Sequence, residues 1–219
     1  MLPHINHPRA IGDEIARLAD EVTELAFLAM DAFKYAAEAL FGRQPEVARF
    51  ALDATTSSTG IAWDVHQKAV GILAHWSPTG EALARIVELQ RTSAEYAGIA
   101  ASSRHVAEQA MVLPAGAEQI LAYIDQTACR TLTSLVHQVY IALRGCLILM
   151  TTSDRGLARR IIAEDAELER LYTALVASLD QVIGRQPQRA QPLRDLMLAL
   201  DALRHIGACV VAICEDRLS

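Results

Sequence analysis

Asp165 and Glu169 stand four residues apart in the segment Ile162 to Tyr172, IAEDAELERLY. On a helix that spacing puts both carboxylates on one face, one turn apart. Oxygen donors so arranged suit hard or borderline cations. The ordinary role of such a pair is a solvated acidic face, or an ion pair, for instance with Arg204 if the two carrier helices are neighbours. His4, Asn6 and His7 offer a second set of donors, but they sit in a proline-containing terminus expected to be loose over residues 1 to 10. Ser103, Arg104 and His105 are chance neighbours with no weight as a hydrolytic set. No Glu has a His three residues later, so the di-iron bundle pattern is absent. There is no HExxH, no glycine-rich phosphate loop and no nucleophile elbow. The sequence therefore nominates no catalytic and no cofactor-binding residue.

Composition narrows the classes further. The 219 residues carry a net charge of −6, which argues against a general nucleic-acid surface. Apolar residues make up 52% and aromatics only 5%, a balance that favours helices. Cys129, Cys146, Cys209 and Cys214 fall inside predicted helices without a CxxC pair, and read as small buried apolar residues of a reducing compartment. The N-terminus has no apolar signal core. The most apolar run, Ile141 to Met150, is broken by Arg144 and falls short of a membrane span. These features predict a cytoplasmic chain with no membrane insertion.

The elements that must position these residues follow from periodicity. In the last helix, Leu193, Leu196, Leu200, Leu203, Ile206, Val210 and Ile213 recur at steps of three and four. Arg204-His205-Ile206-Gly207-Ala208 lies at its middle. A helix of the same design runs from Leu83 to Glu108, with Glu95-Tyr96-Ala97-Gly98-Ile99 at its centre. The pattern predicts six long helices: 11–41, 45–75, 81–112, 117–152, one capped by Asp154 and ending near Gly184, and 193–215. Asp13 and Glu14 are placed in the first turn of the first helix, where carboxylates oppose the positive helix end. Gly42 is a natural stop. Thr55-Thr56-Ser57-Ser58-Thr59-Gly60 forms poor helix, so a bend or a helix held only by packing is expected there.

Sliding the chain by about 110 residues aligns its halves. Leu25 meets Leu135, Phe33 meets Leu143, Ala48-Arg49 meets Ala158-Arg159, Val65 meets Leu175, and Gly98 meets Gly207 after a one-residue slip. Short connections make neighbouring helices antiparallel. The expected fold is all-α, two tandem three-helix bundles, with units at 11–113 and 114–219.

Tandem bundles of this length, with a glycine midway along each third helix, resemble the PhoU family. These are accessory and regulatory proteins of bacterial phosphate uptake. Nearly the whole chain is covered, from Ile11 to Arg217. The family's third helices carry a pattern close to Asp-Leu-Glu-Arg-Ile-Gly-Asp. The corresponding segments are Ala202 to Ala208 and Ser93 to Ile99, and the acidic second-helix pattern matches Ile162 to Tyr172. The resemblance implies metal-ligand carboxylates on these faces, and the chain departs from it there. Glu95 remains, but Ile99 replaces the first aspartate, and Arg204 and Ala208 replace the second glutamate and aspartate. Thr55 and Thr59 stand opposite Asp165 and Glu169 in the repeat. Glu95, Asp165 and Glu169 are thus remnants of a metal motif, and no metal or other cofactor is expected.

The resemblance implies a non-enzymatic regulator that contacts a phosphate ABC transporter or a sensor histidine kinase, without nucleic-acid binding. The alternative is a metal-binding helical protein using the surface carboxylates. The apolar content suggests a homodimer.

Overall fold

The computed structural model describes residues 7–42, 45–113, 124–152 and 154–218. Among these, six helices account for nearly all of the chain. They are α1 (His7–Phe41), α2 (Pro45–Trp76), α3 (Gly80–Val112), α4 (Gln126–Thr151), α5 (Arg155–Arg185) and α6 (Ala190–Asp216), and a short turn of 3-10 helix at Pro187–Arg189 leads into α6. α1, α2 and α3 pack on one another, as do α4, α5 and α6, and the two bundles meet where α3 lies against α6 and α1 touches α4.

The periodic apolar stripes become the core. All seven residues of the α6 stripe, Leu193 through Ile213, are buried. In α1, Leu18, Val22, Leu25, Ala29 and Ala32 are buried. Burying one leucine-sized side chain contributes about 1.5–3 kcal/mol, so each stripe outweighs any single cap or ion pair. The repeat is visible in the burial. Leu25 and Leu135, Phe33 and Leu143, Ala48 and Ala158, Val65 and Leu175, and Ile86 and Leu196 are all inside. Leu83 breaks the pattern, being exposed where Leu193 is fully buried.

α3 differs from the other helices because it packs against α1, α2 and α6. A helix covered on several sides loses the simple apolar stripe. Its buried set accordingly mixes Ile86, Leu89, Tyr96, Ile99 and Val106 with Thr92, Ser93, Ser102 and Ser103. Small residues let neighbouring backbones approach. A Cβ on Gly98 would lie 3.2 Å from the Cys209 sulfur, and one on Gly207 would lie 2.9 Å from the Leu168 side chain.

Helix ends follow local chemistry. Asp154 caps α5 by accepting from Leu157 N at 3.0 Å, and Asp125 caps α4 through Ala128 N at 2.7 Å. Gly42 N donates to Glu38 O at 2.6 Å, closing α1 where a stop is expected. Three boundaries differ from the sequence pattern. α1 begins at His7, so residues 7–10 are helical and Asp13 and Glu14 lie beyond its first turn; Glu14 instead pairs with Arg17 at 3.0 Å. α4 begins at Gln126, because the Asp125 cap fixes its start there, while residues 117–123 of the expected helix lie outside the described residues. Pro192 sits inside the first turn of α6, where a missing N–H costs nothing. His4 lies outside the described residues.

The Thr55–Gly60 stretch is continuous α-helix. Its hydroxyls turn back onto the helix: Thr56, Ser58 and Thr59 donate to the carbonyls of Leu52, Ala54 and Thr55 at 2.8–3.0 Å. Thr55 Oγ1 lies 2.8 Å from Ala51 O and 3.0 Å from Ala100 O of α3. Packing and satisfied hydroxyls offset the poor local propensity. The reading of Ile141 to Met150 needs correction too. The whole of α4, and the segment Pro187–Asp216, are long and apolar enough to cross a membrane by length and composition, but about half of each lies buried within the bundles.

Two substitutions separate propensity from packing. Gly60 has open space around its Cα, so Gly60→Ala should stabilise by about 0.5–1 kcal/mol in urea unfolding. Gly98→Leu should instead cost about 1–3 kcal/mol through overpacking against α6; equal and small effects at both positions would contradict the close approach of α3 and α6.

Candidate functional site

The two motif-bearing helices meet where Gly98 of α3 faces His205 and Cys209 of α6, and polar residues of both motifs collect around that crossing. Ser102 Oγ of α3 is 2.9 Å from His205 Nδ1 of α6. The Cys209 thiol lies 3.8 Å from the same nitrogen. Burial, then hydrogen bonding to the Glu95 carboxylate, pushes the Cys209 thiol up to about 12. It therefore stays protonated and donates. Glu95, Ser102, His205 and Cys209 thus tie the first bundle to the second. Ser103, which adjoins His105 in sequence, is buried and donates to Ile99 O at 2.8 Å. The serine that meets a histidine is its neighbour, Ser102, and the histidine comes from the other half of the chain. The alignment of Gly98 with Gly207 marks equivalent places in the repeat but gives no sign of this pairing, which needed the crossing itself.

The acidic face of α5 lies on the other side of α6. Glu169 Oε1 is 3.5 Å from the Arg204 guanidinium. The same guanidinium sits 5.0 Å over the ring of Tyr172, whose hydroxyl donates to Asp201. Arg204 is therefore held by a carboxylate and an aromatic face together. Asp165 lies beside Gly207, where a Cβ would come within 3.5 Å of its Oδ1. Burial, and then the Glu169 charge, raise the Asp165 carboxyl above its ordinary value. The space between Asp165, Leu168 and Gly207 is only about 10 Å³, at the lower bound for one water molecule.

The surviving carboxylates are not brought together. Glu95 turns to Cys209, while Asp165 and Glu169 face Gly207 and Arg204. Among the described residues, no three His, Cys, Asp or Glu side chains converge on one point. A resident cation would need more oxygen donors than this face supplies, and the guanidinium already supplies the positive charge. The residues present do not fit a metal at this place.

In the first bundle the equivalent surface carries no carboxylate pair. Thr55 is turned inward to the carbonyl of Ala100. Beside it, α2 and α3 flank a cleft of about 350 Å³ lined by Thr59, Trp63, His66 and Gln90. Gln90 Nε2 is 3.3 Å from His66 Nδ1, and Trp63 is largely exposed.

Comparison with known proteins places this geometry. Residues 132–216 match the family model of the PhoU domain. The fold is similar to that of PhoU from Pseudomonas aeruginosa, with 17% identity, a TM-score of 0.85, and coverage of 94% of this chain and 96% of that one. It is also similar to the phosphate transport system regulatory protein PhoU from Streptococcus pneumoniae, with 14% identity, a TM-score of 0.79 and 95% coverage of each chain. No curated protein matches the sequence.

Two experiments test the site. In a double-mutant cycle, Ser102→Ala and His205→Ala should couple by about 0.5–1.5 kcal/mol in urea unfolding; zero coupling would show that the hydrogen bond does not hold the crossing. Arg204→Glu combined with Ala208→Asp should remove the internal cation and add two carboxylates beside Glu169 and Asp165. That variant should gain a Mn2+-dependent rise in melting temperature that the parent lacks, and an equal response of both would refute the guanidinium as the occupant.

Proposed function

We propose that this chain, which carries a PhoU domain at residues 132–216 and the PhoU fold along its length, is a non-enzymatic regulator of phosphate uptake. The observation that carries this reading is the likeness over both bundles, 94% of the chain, to PhoU of Pseudomonas aeruginosa. The polar groups at the α3–α6 crossing support the absence of chemistry. The Cys209 thiol is held protonated, which removes it as a nucleophile. Ser102 and Cys209 both meet His205 at the same nitrogen, Nδ1, which is not the arrangement of a base oriented by a third group.

Regulation without chemistry requires surfaces. Phe27, Phe50 and Trp63 are more than half exposed, and Tyr35 stacks on Phe50 at a ring distance of 5.5 Å. Exposed aromatics of this kind are the usual anchors of protein contacts. We assign them to docking on the cytoplasmic side of a phosphate ABC transporter, or on its sensor histidine kinase. A homodimer, with the chain divided at residues 113 and 114 into two like units, belongs to the same proposal. The alternative of metal binding is disfavoured by Arg204 on Glu169.

Deleting the encoding gene in its host should raise phosphate uptake in phosphate-replete medium. Restoring the gene should reverse this, while Phe50→Asp, folded by circular dichroism, should fail to restore it and should lose co-purification with transporter subunits. Unchanged uptake on deletion, in rich and in poor phosphate alike, would overturn the proposal.

A further inference from the structure

Three of the four thiols are buried, and two of them touch. Cys146 of α4 and Cys214 of α6 have sulfurs 3.8 Å apart, both with no exposed surface. The Cys146 thiol also lies 3.8 Å from Val210 O, one turn earlier in α6.

We propose that Cys146 and Cys214 form an oxidation site that closes into a disulfide between α4 and α6. The sulfurs are in van der Waals contact, and a bond needs them to approach to about 2.05 Å. The surroundings are those of a reactive thiol. Arg217, one turn beyond Cys214, acts electrostatically on both thiols and on Tyr96. Arg217 Nε and the Tyr96 hydroxyl are buried with no hydrogen-bond partner, which leaves two donors available near the pair. The Cys146 S–H, and after it Arg217, hold the Cys214 thiol below its ordinary value, and the Cys146 thiol is correspondingly pushed up. Of the two thiols, Cys214 is the one that gives up its proton first, and the thiolate is the form that reacts.

Access runs through the end of α6. Cys214 lies in the last turn before Asp216, and a cleft of about 370 Å³ lined by Leu149, Asp216 and Arg217 opens beside that turn. Helix ends open locally at low cost, which admits a small oxidant. With hydrogen peroxide, the Cys214 thiolate attacks one oxygen, the O–O bond breaks, and hydroxide leaves. The sulfenic acid so formed is attacked by the Cys146 sulfur; the S–S bond forms, the S–O bond breaks, and water leaves. One peroxide and two thiols give one disulfide and two waters. The bond would pin the end of α6 beneath Tyr96 of α3, at the seam between the bundles.

The test uses the full reduced chain, treated with hydrogen peroxide, denatured and alkylated before peptide mass mapping. The expected result is loss of two of the four alkylatable thiols, a linked peptide pair joining Cys146 to Cys214, and full reversal by dithiothreitol. Cys129→Ser and Cys209→Ser should leave the link intact. In Cys146→Ser, which removes the second sulfur, dimedone should trap a sulfenic acid on Cys214. Four free thiols after peroxide, or links made through Cys129 or Cys209, would overturn the proposal, and the wild-type map alone decides this even where a serine variant folds poorly.

Discussion

The close approach of α3 to α6 is the constraint on which the rest depends. Gly98 at the centre of α3 admits the Cys209 sulfur of α6 where a Cβ would crowd it, while Gly207 of α6 admits Leu168 of α5. This proximity lets short side chains bridge the bundles, so that Ser102 reaches His205 and Glu95 reaches Cys209. Apolar area at that seam outweighs the polar links. A hydrogen bond contributes about 0.5–1.5 kcal/mol net, against about 1.5–3 kcal/mol for each large apolar side chain removed from water. The polar links therefore set register, and the apolar residues supply the adhesion.

The α5 acidic face and its counterpart in the first repeat are treated by two different means. In the second repeat a guanidinium stands on Glu169 and on the Tyr172 ring. Because both members of the ion pair are about half exposed, the pair contributes only about 0–1 kcal/mol. Its consequence is electrostatic: it neutralises a carboxylate that would otherwise attract a cation. In the first repeat the acidic positions are occupied by threonines, and Thr55 spends its hydroxyl on backbone carbonyls of its own helix and of α3. A neutral hydroxyl buried against two backbone carbonyls brings no charge to attract a cation. The two bundles thus reach the same outcome from unlike residues.

Most of the fold was legible in the pattern of apolar residues. The α6 stripe was read residue by residue and is wholly buried, because steps of three and four translate directly into one helix face. The repeat was legible because turn positions recur with it. What escaped was set by tertiary context. Leu83 aligns with Leu193 but is exposed, since the bundles pack on each other asymmetrically and only one of the two positions is covered. The starts of α1 and α4 were misplaced because a proline near the first turn and a capping aspartate outweigh the apolar period at helix ends. The Arg204–Glu169 pair was foreseeable, as helices joined by a short connection become neighbours. The Ser102–His205 pair was not, because it joins residues 103 apart in sequence and depends on which faces of α3 and α6 the crossing brings together.

The cysteines illustrate how burial and reactivity part company. Read along the chain, all four were small apolar residues, and three are indeed buried. Burial, joined by the Glu95 carboxylate, raises the thiol of Cys209 and makes it inert. Cys214 is as deeply placed yet moves the other way, because a neighbouring S–H and a guanidinium both favour its charge. The difference lies in partners rather than exposure, and partners at the seam come from three helices, α3, α4 and α6. A seam that assembles donors from separate elements is where an otherwise structural bundle gains groups able to respond to their surroundings. The packing at the seam brings two sulfurs and a guanidinium together within.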